Sequence, residues 1–152
     1  MSSVSTALSP SRFAVLGYAG LLPFIGLTLL ILFSAEYRAF FSMMLVGYGA
    51  VILSFVGALH WGFAMALQGL PAQQRRERLV WSVIPALIGW ISTLLPVPWG
   101  CLVLTFGFIG HLWQDRKLVQ AVPGWYLPMR MHLTAVASVC LLLSALAVSI
   151  DV

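Results

Sequence analysis

Five long apolar stretches, separated by short turns, restrict this chain more than any other feature of it. They cover about 13–34, 42–67, 79–95, 98–114 and 131–150. A helix needs about 20 apolar residues to cross a bilayer core. The fourth stretch, "PWGCLVLTFGFIGHLWQ", is marginal by length and would tilt little or thin the bilayer around it. None of the runs alternates in polarity, so they read as helices and not as barrel strands. Composition agrees: 8% of the residues are charged, against about 25% in a soluble domain, too few to clothe a water-facing surface. The expected fold is all-α, an integral membrane bundle of five transmembrane helices over 13–152, behind a polar tail at 1–12. That tail, "MSSVSTALSPSR", lacks the basic, apolar and small-residue regions of a secretory signal.

Charge sets the expected direction. With five crossings, Arg12, Arg75, Arg76, Arg78, Arg116, Lys117 and Arg130 share one side, and Arg38 stands alone on the other. Such an asymmetry places the cation-rich side in the cytoplasm, or in the mitochondrial matrix. The N-terminus is then inside and the C-terminus outside. The net charge of +4 therefore orients the protein, and it is not the footprint of a nucleic-acid binder. Cys101 and Cys140 each fall inside a span and read as packing residues; their spacing supports neither a disulfide nor a metal site.

The connections are short. "PVP" (96–98) makes a tight hairpin of spans three and four. "QGLPAQQRRER" (68–78) reads as a turn whose arginines orient the chain or touch anionic headgroups. "DRKLVQAVPGWYLPMR" (115–130) is the longest, with Trp125 and Tyr126 expected at headgroup level. Pro23 and Pro85 lie within spans one and three and should kink them. Ala50, Ser54, Ala58, Gly62 and Ala66 recur every four residues along span two, a ladder that admits a close helix neighbour. Gly49, Leu53, Gly57 and His60 fall on another face, which makes span two central, with helices on both sides.

A weak internal repeat relates "YGAVILSFVGALHWG" (48–62) to "WGCLVLTFGFIGHLW" (99–113). It matches His60 to His111, which puts the two at similar depth on the cation-rich side. His111 and Asp115 are an i, i+4 pair on one helix face. Three readings of the histidines stand open. His60 packs or snorkels beside an interfacial Trp61; or the imidazoles line a polar pocket; or they ligate a b-type haem or a metal. Asp115 and Arg130, at the ends of spans four and five, are expected to form an interfacial cluster with His60 or His111, flanked by Trp125 and Tyr126.

Several motifs taken together resemble the domain-of-unknown-function 3429 family, the transmembrane protein 69-like membrane proteins. They are "GYAGLLPF" (17–24), "YGAVILSFVGALHWGFA" (48–64), "PALIGW" (85–90), Asp115 and "WYLPMRMHLT" (125–134). The resemblance implies a multi-pass inner-membrane protein, bacterial or mitochondrial, and brings no activity with it. In that family an arginine often precedes the Trp-Gly where this chain has His60. That argues for a cation at the position and against an obligatory metal ligand. The bacterial cytoplasmic membrane is the expected address.

The chain carries no nucleophile elbow, HExxH, paired carboxylates or glycine-rich phosphate loop. The expectation is a non-enzymatic accessory or scaffold protein without cofactor or metal. It would act through helix contacts with itself or other membrane proteins, in contact with membrane lipids. The alternative is a small transporter or a lipid- or quinone-binding protein using the polar cluster as its site. A scarcity of buried polar groups argues against an ion path: Ser54, Ser92, Thr93 and Thr105 are the candidates, and a hydroxyl is normally satisfied by its own helix backbone.

Overall fold

The computed structural model describes residues 10–118, 122 and 124–150. The first nine residues, the Arg12 side chain, part of the connection before residue 125 and the last two residues lie outside them. Among the described residues the chain is all-helical: α1 (Pro10–Ala19), α2 (Leu22–Phe33), α3 (Arg38–Ala66), α4 (Ala72–Leu94), α5 (Val97–Asp115), a short 3-10 turn (Arg116–Leu118) and α6 (Tyr126–Ile150).

The first apolar stretch is not one continuous helix. It breaks at Gly20 and Leu21, where the backbone tightens into i→i−3 bonds from Gly20 to Gly17 and from Leu21 to Tyr18. The cause is Pro23, which cannot donate to Ala19 and whose ring would clash with that carbonyl. Tyr48 of α3 donates its hydroxyl to Gly20 O at 2.9 Å, satisfying one carbonyl exposed by the break.

Two connections end earlier than expected. α4 begins at Ala72, so Arg75, Arg76 and Arg78 ride its first two turns and do not lie in a loop. Gly69, at φ +78°, makes the turn, and the strong helix formers Ala72–Arg78 continue from Pro71. α6 begins at Tyr126, which carries Tyr126 and Arg130 out of the expected loop and into a buried helix face. Pro128 is tolerated there because the first turn has no intrahelical N–H bond to lose.

α3 is the central helix and packs against α2, α4, α5 and α6. Phe24, Ile31, Leu45, Leu53, Leu104 and Leu141 form the fully buried apolar core around it. Cys101 and Cys140 are free and buried. The closest crossing is with α4. A Cβ on Gly57 would lie 2.8 Å from Pro85 Cβ, and one on Gly89 would lie 2.9 Å from Ala50 O. α4 runs unbroken through Pro85, whose ring fills the notch at Gly57.

Three segments are long and apolar enough to cross a membrane by length and composition: Ala14–Phe33, Arg38–Ala66 and Tyr126–Ile150. α4 and α5 fall short of that measure because each carries polar residues at its cation-rich end. Their outward faces are nonetheless apolar, with Leu87, Trp90, Ile91, Trp99, Phe106 and Ile109 exposed.

Candidate functional site

Chemistry gathers where α3, α5 and α6 meet near the Arg75–Arg78 end of α4. His60 comes from the last two turns of α3, His111 and Asp115 from the last turns of α5, and Arg130 from the second turn of α6. Asp115 is fully buried and sits at the centre. Its Oδ2 accepts Arg130 Nε–H at 2.8 Å. Its Oδ1 accepts from His60 Nε2 at 2.9 Å and lies 3.5 Å from His111 Nε2. The carboxylate and guanidinium form a charge-assisted pair with both partners out of water, the arrangement in which removing one partner alone is most costly.

The tautomers follow from the donors. Trp81 Nε1–H donates to His111 Nδ1 at 3.1 Å, which requires a lone pair there and puts the imidazole proton on Nε2. The indole and imidazole planes lie within 13° of each other, as an in-plane bond between the two rings requires. His60 uses Nε2 as its donor to Asp115, and its Nδ1 is buried without a hydrogen-bond partner in the protein. The two imidazoles touch edge-on, ring centroids 4.9 Å apart, so no slot for a haem macrocycle lies between them.

His60, His111 and Asp115 bring three ligating atoms within 4.8 Å of one another. The donor set nevertheless does not suit a cation. Arg130 already neutralises Asp115, and the Trp81 bond leaves His111 Nε2 carrying a proton where a ligand would offer a lone pair.

Of the residues singled out by sequence, the structure brings His60, His111, Asp115 and Arg130 together, with Tyr126 one turn before Arg130 on α6. Trp61 points outward and is exposed, and Trp125 is half-buried beside Tyr126. Along the ladder, Ala50 and Ser54 abut Gly89 of α4, whereas Ala58, Gly62 and Ala66 are exposed. Nothing lies within 4 Å of a Cβ built on Gly62. The hydroxyls of Ser54, Ser92, Thr93 and Thr105 each bond a carbonyl of their own helix.

Sequence reasoning missed Trp81 and a stripe on α6. Tyr126, Arg130, Thr134 and Ser138 follow one another at i, i+4, and all are buried. Each also holds a polar atom without a partner in the protein: Tyr126 Oη, Arg130 Nη2, Thr134 Oγ1 and Ser138 Oγ. The four-residue spacing in "YLPMRMHLTAVAS" was the available signal. Tyr126, Arg130 and Thr134 are among the residues lining a cavity of about 230 Å³, walled otherwise by apolar residues that include Leu21, Phe24, Val56 and Phe108. Leu16 and Phe55, both exposed, carry this cavity to the apolar outer surface. A second cavity of similar volume is lined by His60, Gln74, Glu77, Arg78, Gln114 and Lys117.

Comparison with known proteins returns one family and no assigned activity. A family model described as "Protein of unknown function (DUF3429)" matches residues 9–146. Transmembrane protein 69 of Xenopus tropicalis is 34% identical over 131 residues, which are 85% of this chain and 51% of that protein. Transmembrane protein 69 of Mus musculus is 28% identical over 131 residues, 85% of this chain and 53% of that protein. The chain thus spans about half the length of the curated relatives it matches. No solved structure matches it.

Proposed function

Because the chain belongs to the DUF3429 family of unknown function, we propose from its geometry that it is a non-enzymatic, multi-pass protein of the bacterial cytoplasmic membrane that binds an amphipathic, lipid-like ligand. One observation carries this reading: the lining of an apolar cavity includes three buried side chains, Tyr126, Arg130 and Thr134, each with an unpartnered polar atom. An unsatisfied buried polar group costs about 1–3 kcal/mol, too much for three in one place to be incidental packing. An oxygen-bearing headgroup would satisfy them together. At about 230 Å³ the cavity is smaller than the roughly 300 Å³ at which drug-sized pockets begin. It fits a headgroup and the first part of a chain, with the remainder passing Leu16 and Phe55 into the bilayer.

The binding reading requires a protein purified in mild detergent to retain an amphiphile detectable by native mass spectrometry. Tyr126→Phe combined with Thr134→Val removes two of the three hydroxyl and guanidinium contacts and keeps the Asp115–Arg130 pair. We expect the double variant to fold and to lose most of that occupancy. Equal lipid occupancy in the wild type and the double variant would refute the site.

A second reading rests on the exposed Ala58, Gly62 and Ala66 of α3. Small residues on an outward helix face let a second helix approach closely, and an accessory protein would use them to hold a partner. Stoichiometric recovery of another membrane protein, lost on Gly62→Leu with the lipid occupancy unchanged, would favour this reading over the first.

A further inference from the structure

We propose that the ligand's polar end is a fixed anion and that its binding is coupled to the uptake of one proton by His60; this rests on the amphiphile-binding reading above. Arg130 faces two ways. Its Nε is committed to Asp115 at 2.8 Å, while its Nη2 is unpartnered and the residue lines the apolar cavity. Asp115 also faces two ways, holding Arg130 through Oδ2 and His60 through Oδ1. His60 in turn lines the second, polar cavity, and its Nδ1 is the buried atom without a partner. A chain of direct contacts therefore joins the apolar cavity to the polar one through a single carboxylate.

Charge balance supplies the coupling. Without ligand, Asp115 and Arg130 cancel, and a proton on His60 has no counter-charge of its own in the cluster. An anion at Arg130 places two negative charges against one positive charge among side chains that are at most 5% exposed. An uncompensated charge in such a site costs several kcal/mol. Two groups in contact with Asp115 can restore neutrality. His111 is prevented, because protonation at Nδ1 would abolish the bond from Trp81. His60 is not, because its Nδ1 has no donor facing it.

The charged and titratable groups around His60 are Glu77 and Arg78 of α4, His111 and Asp115 of α5, Lys117 just beyond α5, and Arg130 of α6 reached through Asp115. Arg78 and Lys117 oppose a second positive charge until the anion arrives, and Glu77 lies on the route by which the proton enters. With the anion bound and His60 protonated, two negative charges meet two positive ones. The proton comes from solvent through the polar cavity; no bond to the ligand forms or breaks.

The test uses the full chain in zwitterionic phosphatidylcholine nanodiscs near about pH 7, where histidine can change charge. Three probes are titrated: hexadecanesulfonate, which stays ionised, hexadecanol, and methanesulfonate. Isothermal titration in buffers of different ionisation enthalpy reads the protons exchanged. The expected result is close to one proton taken up per hexadecanesulfonate and none for hexadecanol. Methanesulfonate should bind far more weakly than the long chain. His60→Gln keeps a donor for Asp115; it should abolish the proton uptake and weaken sulfonate binding by about tenfold or more. The wild-type arms decide alone should that variant fail to fold. Hexadecanesulfonate binding without proton exchange overturns the coupling and leaves amphiphile binding intact. Uptake that persists in His60→Gln overturns His60 as the acceptor. Methanesulfonate binding as tightly as the long chain overturns an amphiphile as the ligand class. Binding of neither long-chain probe overturns the parent reading and this inference together.

Discussion

Asp115 is the residue on which the buried chemistry turns. It carries the one negative charge at the centre of the cluster, and it offsets a guanidinium that is only 4% exposed. Asp115→Asn keeps the shape and removes the charge, leaving Arg130 buried and uncompensated. Breaking one side of a buried pair costs about 3–5 kcal/mol. The variant should therefore lose most of its thermal stability in detergent, read by the shift in intrinsic tryptophan fluorescence on heating. Asp115→Asn combined with Arg130→Met removes both charges and should recover the larger part of that loss. Failure of the double variant to recover would mean that the uncompensated Arg130 charge is not the source of the loss. The nearness of these two residues could be read from the sequence, because both flank one connection in a chain with only four acidic residues. Equal depth for His60 and His111 could be read from the weak repeat, and their rings do touch. Trp81 could not be read. Its bond to His111 crosses 30 residues and depends on how α4 is rotated against α5, and Trp81 stands where α4 passes from its polar first turns into its apolar run, with nothing local to assign it a face.

Among the elements, α3 shows where composition ends and packing begins. Its small residues look alike in sequence, yet Gly57 is pressed on Pro85 while Gly62 faces outward. A methyl on Gly57 would sit 2.8 Å from a proline ring fixed in the backbone of α4, so the two helices would have to separate. Overpacking of this kind costs about 1–3 kcal/mol. Gly62→Ala meets nothing and removes a flexible helical glycine, a gain of about 0.5–1 kcal/mol. The two variants should shift the detergent melting temperature in opposite directions; a matching drop in both would refute the assigned crossing. The apolar stretches predicted where most helices lie. Their starts were read late at α4 and α6 because hydropathy marks where lipid begins, whereas a helix begins where backbone geometry and propensity allow. Arg75, Tyr126 and Arg130 lie in that difference.

For the whole molecule, the question is how many of these helices cross the bilayer and in which direction. α4 and α5 are the uncertain members by hydropathy, and two properties argue that both cross. At 1.5 Å per residue the 19 residues of α5 reach about 28 Å, close to the roughly 30 Å of a hydrocarbon core. The exposed aromatic and aliphatic side chains of both helices, Trp90 and Phe106 among them, would be costly in water. Five crossings then put Arg75, Arg76, Arg78, Arg116 and Lys117 on one side, with Arg38 on the other. If α4 and α5 instead lay along one surface, the count would fall to three. A periplasm-active phosphatase fused after Ile150 should be active, and the same enzyme inserted between Gly69 and Leu70 should be silent. A fluorescent protein that matures only in the cytoplasm should report the reverse at both positions. Three crossings would also leave Ile150 outside, so these fusions fix only the direction. A third fusion, at Pro96, decides the count: phosphatase activity there requires α4 to have crossed, and its silence would return α4 and α5 to the surface.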